Sequence, residues 1–509
     1  MNIKRAKEEI KGSIAAYLMK DEFNRYVIPP IRQRPVLLIG PPGVGKTQIM
    51  EQISQECQIG LVAYTITHHT RQSAIGLPFI EKKQYGGREY SVTEYTMSEI
   101  VASVYDKIEQ SGMPEGILFI DEINCVSETL APTMLQFLQG KSFGNHRIPE
   151  GWIIVAAGNP PEYNKSVRDF DIVTLDRIRM IQVEPSLEVW KEYAEKVNIH
   201  PAVRSYLDVR KQYFCQIETT VDGKLFATPR GWEDLSQLIE VYEKLDRPVD
   251  RDVVGEYIQF PKIAKDFANY LELYYKYRDD YQVDKILDGV IRPGALDKLA
   301  RASFDERASV VGLLLSGLEN QFRAVYEQEN KLEQMMKCLR DTHTSEEFQQ
   351  QPLTALRAMV EKLAKEQQKK QEDGMLSRAD VRRLASITAR LEDYIRVLQE
   401  EDRVSQDSEK GQQDHPASAV WKRLTELFGT DSDSFEESEA QAGRMLEHGF
   451  DFMEAAFSDS QEMVMFLTGL NTGFYSVHFL QQYSCERYYQ YNKNLLFDEQ
   501  EQEVLGDMK

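Results

Sequence analysis

The residues best equipped for chemistry lie together at 40 to 47, where Gly40, Pro41, Pro42, Gly43, Val44, Gly45, Lys46 and Thr47 read GPPGVGKT directly after the apolar run VLLI. Glycines at this spacing let the backbone turn tightly and aim its N–H groups at phosphate oxygens. Lys46 is then placed to reach the β- and γ-phosphates of a nucleoside triphosphate, and Thr47 to set its hydroxyl on Mg²⁺. A second group closes the run ILFIDEIN. Asp121 is expected to hold Mg²⁺ through water, and Glu122 to polarise an attacking water, because hydrolysis needs a base beside the metal rather than bound to it. An acidic pair after an apolar run is also a common solvated strand end; its place downstream of a phosphate loop favours the chemical reading. A third residue, Asn159, ends IIVAAGN. It is either a turn former or a group that orients the lytic water.

Such residues need a rigid frame. Candidate strands are 36 to 40, 61 to 67, 116 to 121, 153 to 157 and 180 to 184, with helices near 45 to 57, 97 to 112 and 127 to 139. Short, nearly all-apolar strands separated by helices predict an α/β fold, a parallel five-stranded sheet covered on both faces. Ligand then sits beyond the carboxyl ends of the strands, where all three motifs fall.

Together these elements resemble the P-loop AAA+ ATPases, and finer features resemble the MoxR branch within the dynein-related group. The stretch HHTRQSAIGLPFIEKKQYGGREYSVTEYT is similar to the hairpin that interrupts the second helix of that branch. GKSFGNHRIPEGW is similar to the hairpin before the first sensor, with Gly144-Asn145 as its turn. TLDRIRM resembles the LDRF motif, whose arginine acts on a neighbouring subunit's ATP. That role passes to Arg177, with Arg179 as the alternative because Ile178 stands where the family has Phe. A surface ion pair of Arg177 with Asp176 is geometrically poor for adjacent residues. ATPRGWEDLSQLIEVYEKL resembles the second sensor, so Arg230 would touch the γ-phosphate from a helical lid, Thr228 capping its helix and Pro229 filling the first turn. The resemblance covers about three fifths of the chain. It implies ATP and Mg²⁺ as cofactors, a homo-oligomeric ring of six subunits, and a chaperone-like action on a protein client carrying a von Willebrand A domain.

Composition agrees with a multidomain chain. With 509 residues, 42% of them hydrophobic, two or three domains are expected. The boundaries read as 1 to 185 for the nucleotide-binding domain (1 to 30 an N-terminal helix), 186 to 325 for the lid, 326 to 400 for a helical extension, 401 to 418 for a linker, and 419 to 509 for an acidic helical C-terminal domain. The five cysteines lack CxxC spacing, which argues against a disulfide framework or zinc site and for a reducing cytoplasm. No stretch approaches the length of a membrane span. Net charge is −21, and residues 401 to 509 hold 8 Lys and Arg against 22 Asp and Glu, a net −14, which argues against direct nucleic-acid binding.

In the final third, Val381, Leu384, Leu391, Ile395 and Leu398 follow a heptad-like spacing interrupted at Thr388, so a bundle helix is expected rather than a coiled coil. Asp431 and Asp433 alternate as in a calcium loop, but Phe435 and Glu436 occupy positions that need a ligand and a glycine. Ser434 with Glu437 reads instead as a capping box opening a helix, and Tyr475, Phe479 and Tyr483 as a core stripe. Two other function classes fit the motifs less well: a nucleotide-gated scaffold, which need not keep a complete hydrolytic set, and a DNA-linked motor or chelatase-like subunit.

Overall fold

The computed structural model describes residues 1–68, 74–163, 172–220, 223–406, 416–458 and 460–493. Its chain falls into two compact units: residues 1–190 with 228–231 and 371–375, and the remainder from Lys191 on.

The first unit is built on five parallel strands. They are β1 (Val36–Ile39), β2 (Gly60–Thr65), β5 (Gly116–Asp121), β8 (Trp152–Gly158) and β9 (Arg179–Gln182), in spatial order β2-β5-β8-β1-β9. The three central strands are almost wholly apolar because each face meets its own layer, whereas the edge strands β2 and β9 keep exposed positions. Ile117, Phe119, Ile153, Val155 and Ala157 point to the side carrying the helices Ile3–Leu18 and Lys46–Cys57. Leu118, Ile120, Ile154 and Ala156 point to the other, where Ile100, Val101 and Val104 of the helix Glu99–Ser111 pack. Alternation along a strand therefore survives even though both faces are buried. Local signals fix the helix ends. Ser98 Oγ accepts from Val101 N at 3.2 Å to start Glu99–Ser111, and Gly112, at φ +73°, ends it.

Two hairpins leave this core. β3 (Pro78–Tyr85) and β4 (Arg88–Tyr95) pair antiparallel around Gly86-Gly87, both at positive φ. β6 (Ser142–Phe143) and β7 (His146–Arg147) turn at Gly144. They touch: a ring nitrogen of His146 lies 2.9 Å from the Tyr95 carbonyl. The expected hairpins are thus present, although 69–73 of the first stretch lie outside the described residues.

The second unit is mainly helical, with one addition to the all-helical lid expected: the hairpin of β10 (Gln216–Thr220) and β11 (Gly223–Ala227). Its frame is the 40-residue helix Phe304–His343, which packs on Pro416–Phe457, Gln461–Thr472 and Phe474–Gln482. The boundary expected at 325 falls inside this helix, because Leu318, Phe322, Val325, Met335 and Leu339 carry one buried stripe across it. Lid, extension and C-terminal region are consequently one unit and not three.

Other boundaries shift too. The N-terminal helix stops at Leu18. Both ends of the expected linker are helical, since Arg378–Gln406 and Pro416–Phe457 enter it, while 407–415 lie outside the described residues. Ser434 and Glu437 sit inside the helix Pro416–Phe457 rather than opening one. The preceding turn is anchored, because Asp431 takes two hydrogen bonds from Arg390 (2.5 and 2.8 Å) and one from Tyr394 (2.7 Å), so tertiary pairing overrides the local capping signal. Ile387, Leu391, Tyr394, Ile395 and Leu398 form the buried side of Arg378–Gln406 in a helical bundle, as the broken heptad implies. Tyr475 and Phe479 are buried as expected; Tyr483 lies just past its helix and stacks on Phe479 with ring centroids 5.1 Å apart.

Candidate functional site

The loop at 40 to 47 joins β1 to the helix Lys46–Cys57. Gly43 and Gly45 hold φ of +78° and +91°, and Gly45 is the residue from which the helix starts. Gly40 answers a different need: a Cβ there would stand 2.6 Å from the Val183 carbonyl. The helix N-terminus exposes unpaired N–H groups to whatever the loop encloses, which suits an anion.

Lys46 is 8% exposed. Its ammonium donates to Gly40 O at 2.8 Å, Pro41 O at 2.9 Å and Asn159 Oδ1 at 3.0 Å. Burial pushes its pKa down to about 8; Arg230 adds to that fall, while Asp121 and Glu122 oppose it. A partly desolvated ammonium of this kind gains most when a phosphate replaces neutral carbonyls around it.

Strand ends bring the remaining groups to the same edge. Thr47 Oγ1 donates to Asp121 Oδ2 at 3.0 Å, and the other oxygen of Asp121 accepts from Glu122 N at 2.9 Å. Glu122 adopts φ +56°, a left-handed conformation that costs a non-glycine residue about 1 kcal/mol or more and recurs at functional sites. Its side chain accepts from Thr67 Oγ1 at 3.0 Å. Thr47 and Asp121 supply hard oxygen donors side by side at the helix start, a set that fits Mg²⁺. The glycine cradle and Lys46 fit the phosphates of ATP.

Thr228–Gly231 belong to this unit and reach the loop: a Cβ built on Gly43 would stand 3.1 Å from Arg230 Cβ. Thr228 Oγ1 accepts from Gly231 N at 3.2 Å and so caps the helix Pro229–Lys244, with Pro229 in its first turn. The Arg230 side chain is exposed, and its charge is felt at Lys46.

The two arginines of LDRIR part company. Arg177 is exposed, its guanidinium donating to Gln139 at 2.5 Å. Arg179, on β9, is turned to the N-terminal helix, where it pairs with Glu9 at 2.6 Å and donates to Ser13. That pairing engages Arg179 within the chain.

Lys46, Thr47, Asp121, Glu122, Asn159 and Arg230 therefore share one edge of the sheet, and Arg177 stands apart on the surface. Two polar residues missed from sequence join the first group. Thr67 closes the predicted second strand, but nothing in its local sequence signals Glu122 as its partner. Asn124 donates from Nδ2 to Asn159 O at 2.7 Å, and the polar residue two positions after the acidic pair was the available clue.

Comparisons with known proteins bear on this geometry. Residues 36–174 match the family model described as ATPase family associated with various cellular activities (AAA). No curated protein matches the chain. Among solved structures, that of a "putative ATPase" from Cytophaga hutchinsonii aligns at 17% identity over 38% of this chain and 56% of that one, with a TM-score of 0.23, a likeness too slight to argue from. Phosphate loop, strand order and family match together make residues 36–174 a nucleotide-binding ATPase domain of the AAA family.

Proposed function

We propose that the chain is an Mg²⁺-dependent ATPase of the MoxR-like kind that works as a homo-oligomeric, six-membered ring and remodels a protein client. The observation that carries the reading is the gathering of Lys46, Thr47, Asp121, Glu122, Asn159 and Arg230 at one sheet edge while Arg177 remains exposed.

Thr47 and Asp121 would hold Mg²⁺, which would supply neutralisation of phosphate charge. Lys46 exchanges its carbonyl acceptors for phosphate oxygens. Glu122 accepts the proton of the attacking water, and Asn159 orients that water. Arg230, in the first turn of the helix Pro229–Lys244, reads the γ-phosphate. Arg177, unengaged by any acidic group among the described residues, extends to the site of an adjacent subunit.

The two hairpins suit client contact. Ile80 and Tyr85 are 75% and 56% exposed on the first of them, apolar surface that a solvated hairpin gains nothing by displaying. A von Willebrand A domain client rests on the family resemblance alone. The five cysteines are free thiols, which suits a cytoplasmic location, and no helix among the described residues is long and apolar enough to cross a membrane.

Turnover of the wild type and of Glu122→Gln and Arg177→Ala tests the reading. Both variants should bind ATP normally. Arg177→Ala should lose on the order of 10³ in kcat, and only under conditions where the wild type assembles. Normal turnover by assembled Arg177→Ala removes the finger; equal biological activity of wild type and Glu122→Gln makes the protein a nucleotide-gated switch. Co-purification with mass spectrometry identifies the client.

A further inference from the structure

Asn124 lies in the short turn Ile123–Cys125, two residues beyond Glu122, and is 5% exposed. Its Nδ2 donates to the Asn159 carbonyl, while its buried Oδ1 has no hydrogen-bond partner among the described residues. A buried amide satisfied at one end bears the desolvation of the other, so fold stability alone does not account for an asparagine here. The neighbouring strand makes room for it. A Cβ on Gly158 would stand 2.7 Å from Asn124 Cγ, so that any side chain at 158 would expel the amide. On the far side of this contact the Asn159 side chain meets Lys46 at 3.0 Å, and on the near side the turn carries Glu122 in its left-handed conformation. The Asn124 amide thus bridges the turn that holds the base and the strand end that holds the water-orienting group.

We propose that Asn124 is a positioning residue for ATP hydrolysis, its amide fixing the spacing between Glu122 and Asn159, and that Gly158 is glycine in order to admit it. The inference rests on the hydrolytic reading above and deepens it. Asn124 acts through the Asn159 backbone, to which its amide donates, rather than as a group of the reaction itself.

The test is a double-mutant cycle on the full chain, with kcat and KM for ATP, Kd for a non-hydrolysable ATP analogue, and the melting temperature measured for each member. Asn124→Ala should lower kcat by on the order of 10-fold with Kd changed by less than about 2-fold, since a small misplacement of reacting groups affects the transition state more than the ground state. Gly158→Ala should lose a similar factor. In the Asn124→Ala background the added methyl meets no amide, so the double variant should turn over no more slowly than Asn124→Ala alone. Asn124→Asp, which lacks the donor and faces a carbonyl with a carboxylate, should be slower than Asn124→Ala; it serves if Gly158→Ala fails to fold. Additive losses, an Asn124→Asp faster than Asn124→Ala, or a lowered melting temperature with kcat intact would overturn the assignment. A wild type that turns over no ATP sinks the hydrolytic reading itself, whereas an active wild type matched by Asn124→Ala sinks only this inference.

Discussion

In the nucleotide-binding unit, polar side chains converge: within a few residues of three strand ends, Lys46, Thr47, Asp121, Glu122, Asn124 and Asn159 hydrogen-bond one another or the backbone around them. In the helical unit they do the opposite. Arg390 with Asp431, Arg204 with Glu319 and Arg487 with Asp451 are pairs spread over separate helix contacts. The first arrangement is what a reaction demands, particular groups at one point. The second is what helix packing permits, with an apolar stripe deciding the structure and polar partners closing its margins. Loss of function and loss of fold should accordingly separate between the two units.

The largest separation is expected at Lys46. Replacing it with alanine removes charged hydrogen bonds to phosphate, each worth about 1.5–3 kcal/mol, so ATP affinity should fall by on the order of 10²-fold or more. Circular dichroism and chemical denaturation should find the helical unit unchanged. A parallel loss of helical stability would show the contrast to be false.

The mirror experiment lies in the helical unit. Phe450 is fully buried and meets Phe466 edge-on at 5.4 Å. Phe450→Ala should destabilise that unit by about 3–5 kcal/mol through the cavity it leaves. Analogue affinity, measured below the unfolding transition, should stay within about 2-fold of wild type. Because Pro416–Phe457 is part of this core, deleting 401 to 509 should unfold the helical unit as Phe450→Ala does, and to a greater extent.

A smaller effect sharpens the comparison through pH. Glu195 accepts from Phe474 N at 2.9 Å, and burial pushes its pKa up to about 7, with Glu319 adding to the rise and the Phe474 N–H opposing it. For a carboxyl raised in the folded state, the native form holds its proton longer than the unfolded chain. Its stabilising contribution is complete below the ordinary carboxylate range and is lost as pH rises toward about 7. Glu195→Gln keeps an acceptor and cannot ionise. Relative to wild type it should therefore gain on the order of 1–2 kcal/mol between mildly acidic and neutral pH and level off above that. A flat difference in denaturation profiles across this window would refute the account.

Much of the nucleotide-binding unit was legible because its chemistry and periodicity are local. The loop motif lies within eight consecutive residues, the central strands are short apolar runs, and Gly144 marks the turn of the second hairpin directly. What stayed hidden depended on partners remote in sequence. Asn124 became a candidate only beside Gly158, and Thr67 only beside Glu122. The capping pattern at Ser434 and Glu437 was sound as a local signal and lost to Asp431, which Arg390 and Tyr394 hold from another helix. The expected boundary at 325 followed the end of a resemblance, whereas the buried stripe of Phe304–His343 continues past it.

The choice between Arg177 and Arg179 shows the same limit, and it gives the smallest effect. Both suit a finger by residue type and spacing; only Glu9 and Ser13, some 170 residues earlier in the chain, distinguish them. The Arg179–Glu9 pair is part-exposed, at 38% and 28%, so solvent screens it and its coupling should be no more than about 1 kcal/mol. Arg179→Ala should therefore cost the nucleotide-binding unit a slight loss of stability, partly repeated by Glu9→Ala and not additive with it, while kcat in the assembled state stays near wild type. If Arg179→Ala instead lost turnover on the scale expected of Arg177→Ala, the ion pair with Glu9 would have to open in the assembly, and the arginine that crosses to the neighbour would be the one this structure shows engaged.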